Sequence, residues 1–448
     1  MNREEFIQKM FGHIKEKSLI EQKYYDEYNI KRGLRNANGT GVLVGITRVA
    51  DVEGYTVRDG KKVSKEGKLY YRGYPLHKLA EGFKKDNRYG FEEIAYLLLT
   101  GELPTNEELS HFKKTLEEHR SFPQGFKEDM FFKIPSKSMM NKIQRVVLSL
   151  YSYEKNPDSL SLYDNFEMTL SLIAKMPLIV GYAYQTKRHY FDGESLIIHE
   201  PKENAGTAEN ILHLIRDNSE YTKEEAELLD LCLVVHAEHG GGNNSAFANH
   251  VVSSSGTDIF SATATSIGAL KGPKHGGANK MVSDMIKDIT ENAGDLKDKK
   301  SLKNYILKIL DREVFDKKGL VYGMGHAVYT KTDPRTVILK ENAYKLAKLK
   351  GFEEKFELID NIENISRSIF KERKGENFEI AANVDMYSGF VYEMLDISSE
   401  LYTPIFAIAR MAGWCAHRLE QLSDEKIIRP AYVTLGDRKE YIPISERK

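Results

Sequence analysis

Apolar positions recur three and four residues apart along most of this chain, the period of helices that bury one face. Phe91, Ile94, Ala95 and Leu98 mark one such face, and Gly101 ends it. Thr105 followed by Glu108, and Thr222 followed by Glu225, have the form of capping boxes that open new helices. The run from Ala226 to Val235 is apolar on all sides, which predicts a buried central helix delivering His236 and His239 at its C-terminal end. From Thr257 to Leu270 the chain is rich in Ser, Ala, Thr and Gly, residues that let helices approach closely, and Lys271-Gly272-Pro273 stops it. Surface helices are expected near Ser301 to Phe315, Thr336 to Leu349 and Phe352 to Lys371. A further apolar helix, Leu401 to Leu422, carries Arg410 and Arg418.

The exception is an N-terminal stretch that reads as β. Val42, Val44 and Ile46 alternate, and Thr56-Val57-Arg58-Asp59-Gly60 before Lys68-Leu69-Tyr70-Tyr71 predicts a small hairpin with an Asp-Gly turn. The expected fold is therefore mainly α, with that hairpin region near the N-terminus. A chain of 448 residues exceeds one small core. The more charged segment 276–390 reads as a smaller domain inserted between 1–275 and 391–448, which form a larger one.

Composition narrows the function. Net charge is −1, so no overall basic field exists to hold nucleic acid or an anionic membrane. No stretch reaches about 18 uncharged apolar residues. The two cysteines, Cys232 and Cys415, sit in apolar helical patterns and read as buried thiols of a reducing compartment. Neither a signal peptide nor a transit peptide is evident, so a soluble, cytoplasmic protein is expected.

The candidate chemistry is a split set of histidines, one aspartate and several arginines in special backbone settings. His275 stands between a helix stop and a new helix start, in Gly272-Pro273-Lys274-His275-Gly276-Gly277. Burial and the amides of a helix N-terminus would keep its ring neutral and donating. A structural histidine in a turn is the plainer alternative. Asp385, in Asn383-Val384-Asp385-Met386-Tyr387, has apolar flanks on both sides, so its carboxylate must be paired or used, or else must cap a helix. His326 follows Gly323-Met324-Gly325, a loop whose amides could approach a phosphate or adenine, although it lacks the third glycine of a dinucleotide fingerprint. His236 and His239 have a spacing that zinc can use, but a metal site also needs a third ligand and a second shell, and no HExxH pattern is present. Arg335, in Asp-Pro-Arg, Arg410, inside an apolar helix, and Arg429, before Pro430, would together suit a substrate with more than one carboxylate.

The order and spacing of these motifs resemble citrate synthase. Gly67-Lys68-Leu69-Tyr70-Tyr71-Arg72-Gly73 and the run from Phe91 through Gly101-Glu102-Leu103-Pro104-Thr105 resemble that family's N-terminal segments. The resemblance implies a two-domain helical homodimer, sometimes assembled further, that condenses acetyl-CoA with oxaloacetate and needs no metal or other cofactor. It implies Asp385 as the base, His275 as the group stabilising the enol, and His326 as the group polarising the oxaloacetate ketone. His239, Arg335, Arg410 and Arg429 would hold the dicarboxylate, with Arg429 reaching across the dimer. Gly323, Met324, Gly325 and Asn383 would contact CoA. The chain departs from many members of the family at Gly240 and Ala327 and from some at Thr330, where an arginine would meet CoA phosphate, which leaves the phosphate contacts open without touching His275, His326 or Asp385. A 2-methylcitrate synthase acting on propionyl-CoA is the nearest alternative, since one methylene is worth only ~1–3 kcal/mol of discrimination. From other classes stand a metal-dependent hydrolase using His236, Glu238 and His239, and a non-catalytic CoA-binding regulator.

Overall fold

The computed structural model describes every residue except Glu425, Asp437 and Lys448. Contacts divide the chain into two compact units. One comprises Met1–Val44, Val57–Lys62 and Ile428–Lys448, the other Gly45–Thr56 and Val63–Ile427.

In the first unit, a helix over Arg3–Ser18 begins with a capping box between Asn2 and Glu5 and buries no residue. Phe6, Met10, Phe11 and Ile14 lie exposed along it. The alternation at Val42, Val44 and Ile46 does not make a strand, contrary to expectation. Leu43 and Ile46 are each 96% exposed, and the backbone there is irregular apart from an isolated bridge between Arg35 and Gly41. Alternation specifies a strand only where one face has a surface to cover.

The second unit is mainly helical. Its core is organised by the helix Tyr402–Gln421, which is buried almost along its length. It packs on the helices Leu162–Lys187, Asn244–Ser253, Ile259–Lys271, Phe91–Thr100 and Lys223–His236. The helical stretch Leu162–Asp192 is long and apolar enough to cross a membrane, but 83% of its apolar window is buried inside the protein. The expected capping boxes open Asn106–Glu118 and Lys223–His236, and Gly101 closes Phe91–Thr100 in the left-handed region.

The strands β1 (Ala50–Arg58), β2 (Lys61–Tyr71) and β3 (Tyr74–Pro75) form one sheet in that order. Asp59 and Gly60, both at positive φ, make the two-residue turn that the sequence predicts. The surface helices run Lys299–Leu310, Pro334–Lys350 and Glu353–Lys374. The first stops at Leu310, short of the predicted Phe315. Both cysteines are buried and free.

Candidate active site

The central helix Lys223–His236 delivers its histidine as the pattern implies. His236 is 1% exposed, with Nδ1 2.7 Å from the Cys232 carbonyl oxygen of its own helix. Burial, and then the positive charge of Arg335, hold its pKa down to about 3. His239 lies just beyond, with Nε2 3.2 Å from the Tyr329 hydroxyl. Its pKa is held well below the usual range, by burial first and then by Arg335 and His326. The rings of His239 and His326 stand nearly perpendicular, 5.0 Å apart.

His326 occupies a loop pinned from two directions. The Gly325 N–H donates to the Ala381 oxygen at 2.7 Å, and the Asn383 N–H donates to the Gly323 oxygen at 2.8 Å. The Asn383 side chain ties this loop to the next helix. Its amide donates to the Gly325 oxygen at 2.9 Å, and its oxygen accepts from the Asp385 N–H at 3.1 Å. The amides of Val328 and Tyr329 both donate to His326 Nδ1 at 3.1 Å. Two donors aimed at Nδ1 require a lone pair there, so the ring proton sits on Nε2. His326 is thereby set as a donor.

Asp385 is the first residue of the helix Asp385–Met394, directly after the N-cap Val384. Burial raises its pKa to about 6 against the opposing charges of Arg335 and Arg410. Arg335 is 4% exposed and bonds Asp333 in a fork, Nε to Oδ1 at 3.0 Å and Nη2 to Oδ2 at 2.7 Å. Asp333 also caps the helix Pro334–Lys350, so the Asp-Pro-Arg motif fixes the helix start and its arginine together.

Arg410 is different. It is wholly buried, its Nε donates to the His236 oxygen at 2.7 Å, and its guanidinium lies 4.6 Å over the Phe406 ring. Among the described residues, neither terminal nitrogen has a hydrogen-bond partner. Burial, opposed by Glu238, lowers its pKa to about 10, and its charge acts on His236, His239, His275 and Asp385.

His275 sits in the turn between the helices Ile259–Lys271 and Ala278–Asn292. Gly276 is required here: a Cβ would come within 2.3 Å of the Leu270 carbonyl oxygen. His275 Nε2 lies 3.1 Å from Ser245 Oγ, which also accepts from Trp414 Nε1 at 3.2 Å. Burial, then Arg410, lowers the His275 pKa to about 4, so the ring is neutral near pH 7.

Two participants have no local signature in the sequence. Ser245 reaches His275 across 30 positions, and Glu238 meets His417 across 179, Oε1 to Nε2 at 3.0 Å with both side chains fully buried. Burial would raise the Glu238 carboxyl, but His417 brings it to about 2; burial would lower His417, but Glu238 brings it to about 9.

The sequence candidates His239, His275, His326, Arg335, Asp385 and Arg410, with the Gly323–Gly325 loop and Asn383, all belong to the second unit. Arg429 belongs to the first, where it is exposed. Thr330 turns its hydroxyl to the Gly54 carbonyl oxygen. Among the described residues, no three His, Cys, Asp or Glu side chains gather as a metal site.

Residues 38–431 match the family model described as citrate synthase, C-terminal domain. The citrate synthase of Synechocystis is 33% identical over 410 residues, covering 91% of this chain and 92% of that protein. The 2-methylcitrate synthase of Shewanella oneidensis is 32% identical over 381 residues, covering 85% and 92%. Among solved structures, the citrate synthase of Thermoplasma acidophilum, in ternary complex with carboxymethyl coenzyme A and oxaloacetate, aligns with a TM-score of 0.76. That match has 26% identity and covers 93% of this chain and 99% of the other.

Proposed function

The chain belongs to the citrate synthase family, and on that premise we propose that it condenses acetyl-CoA with oxaloacetate and water to give citrate and CoA. The observation that carries the reading is Arg410, a fully buried guanidinium whose two outer nitrogens face no protein acceptor. An uncompensated buried charge is costly. A dicarboxylate would supply the missing acceptors bidentately. The same cation acts on Asp385, a carboxyl with a pKa of about 6 that is mostly ionised at neutral pH.

A methyl group beside a thioester is a very weak acid, so a base must act together with stabilisation of the carbonyl oxygen. Asp385 takes the methyl proton as the enol forms. His275 donates to the thioester oxygen. The enol carbon then attacks the oxaloacetate ketone, whose oxygen accepts from His326 Nε2 and takes that proton as the new carbon–carbon bond closes. Water cleaves the citryl thioester, leaving a carboxylate and the CoA thiol. His239, Arg335 and Arg410 orient the dicarboxylate, and no metal or prosthetic group enters these steps. The family resemblance supports a homodimer in which Arg429 completes the partner's site.

A 2-methylcitrate synthase is the second reading, because relatives of both kinds match at nearly equal identity. Thiol release with oxaloacetate, in EDTA, separates the readings. Faster turnover of acetyl-CoA than of propionyl-CoA is expected. The reverse order moves the assignment to 2-methylcitrate synthase, and no thiol from either acyl-CoA defeats both.

A further inference from the structure

One face of the helix Tyr402–Gln421 carries Arg410, Gly413, His417 and Gln421, spaced three and four residues apart. Gly413 is there because the turn after His236 lies directly on it. A Cβ at that position would stand 2.1 Å from Glu238 Oε2 and 2.5 Å from the Ala237 oxygen. Glu238 is therefore pressed against the helix between Arg410 and His417. Both are cations, and the Glu238 carboxylate bonds His417 but neither terminal nitrogen of Arg410.

The rest of the network explains that choice. His417 Nδ1 lies 3.2 Å from His250 Nε2, and His250 Nδ1 lies 2.8 Å from Gln421 Oε1. The Gln421 oxygen can only accept, so His250 carries its proton on Nδ1 and offers Nε2 as an acceptor. Burial, and then His417, lower the His250 pKa, which fits a neutral ring. His417 can then donate from both nitrogens, to His250 and to Glu238. Glu420 adds a second carboxylate 3.9 Å from His417 Nδ1. The result is a buried imidazolium held from three sides and aimed at Glu238 Oε1.

We propose that His417 is a positioning residue that engages Glu238, so that Glu238 does not pair with Arg410 and the Arg410 guanidinium stays open to the dicarboxylate. Glu238 and Arg410 are both fully buried and oppositely charged, yet Glu238 Oε2 and both terminal nitrogens of Arg410 lack hydrogen-bond partners. Two such groups remain apart only if something else satisfies one of them. Without the imidazolium, the buried Glu238 carboxylate has no cationic partner, and after His417 the charge acting on it most strongly is that of Arg410. Glu238 then becomes an internal competitor for the substrate's seat. Loss of His417 should therefore weaken oxaloacetate binding, and removal of the Glu238 charge should relieve the loss.

This inference rests on the assignment of oxaloacetate to Arg410, so the test measures that first. Oxaloacetate is titrated by calorimetry into the folded full-length protein without acyl-CoA, for wild type, His417→Asn and the double variant His417→Asn/Glu238→Gln. His417→Asn should weaken binding about tenfold or more, and the double variant should recover to within about threefold of wild type. Turnover at saturating oxaloacetate should fall much less than affinity. If His417→Asn does not fold, the same comparison is made with His417→Met, which fills the space but offers Glu238 neither the charge nor a donor. A wild type that does not bind oxaloacetate overturns the functional reading. A wild type that binds, with single and double variants equally impaired or neither impaired, overturns the role of His417 alone.

Discussion

Replacing Arg410 with methionine should separate binding from stability. The guanidinium is wholly buried, and burial pushes its pKa down from the usual guanidinium range to about 10. At ~1.4 kcal/mol per pH unit, keeping it charged costs the folded state about 3 kcal/mol at neutral pH. The sign follows from linkage: a base with a depressed folded pKa destabilises the fold below that pKa, and the penalty fades only as the pH rises through about 10. Methionine removes that penalty. It also removes the hydrogen bond to the His236 oxygen, worth about 1–1.5 kcal/mol, and the stacking over Phe406, worth about 0.5–2 kcal/mol. These terms nearly cancel, so the ligand-free protein should unfold within a few degrees of wild type. Oxaloacetate affinity should respond quite differently. Losing a buried partner of a carboxylate costs about 2–5 kcal/mol, roughly thirtyfold to several thousandfold. Scanning calorimetry and oxaloacetate titration on the same preparation read both quantities. A variant that melts far below wild type yet, when folded, binds oxaloacetate normally would refute the reasoning, because Arg410 would then be a structural cation.

Three further outcomes follow from the same geometry. Turnover should rise with pH through about 6 as the Asp385 carboxyl ionises, and Asp385→Asn should lower kcat by ~10²–10⁴-fold with oxaloacetate binding retained; a pH-independent kcat below 6, or lost binding with normal kcat, contradicts the base assignment. Gly413→Ala should cut both thermal stability and oxaloacetate affinity, because its methyl group displaces the turn that carries Glu238 and His239; unchanged melting and unchanged affinity would contradict that contact. Mixed refolding of Arg429→Leu and Asp385→Asn chains should recover about a quarter of wild-type activity if Arg429 acts across a two-fold interface, and none if it acts within its own chain.

Local signals were readable from the sequence because their causes are local. The Asp59-Gly60 turn, the Thr105 and Thr222 capping boxes and the Gly101 stop each depend on residues within four positions, and each lies where the pattern implies. Alternation at 42–46 misled because it carries no information about a partner strand. At the site, His275, His326 and Asp385 were legible through their glycine, asparagine and apolar settings. The Glu238–His417 pair, the Ser245–His275 contact and the empty acceptor positions around Arg410 were not. Each joins residues tens to hundreds of positions apart, and burial alone distinguishes them from ordinary surface charges. Nor was the tie that Asn383, expected to contact CoA, makes between Asp385 and the His326 loop, its amide donating to the Gly325 oxygen and its oxygen accepting from the Asp385 N–H.

The central claim is that a carbon–carbon bond forms between the acetyl methyl carbon and the oxaloacetate ketone. Mass analysis of the products from methyl-deuterated acetyl-CoA and oxaloacetate tests it most directly. The account predicts citrate carrying two of the three deuterons, in amounts equal to the CoA released, with one deuteron lost to Asp385 and then to solvent. Deuterated acetate appearing with CoA while oxaloacetate is left unconsumed would contradict it, showing thioester hydrolysis in place of condensation.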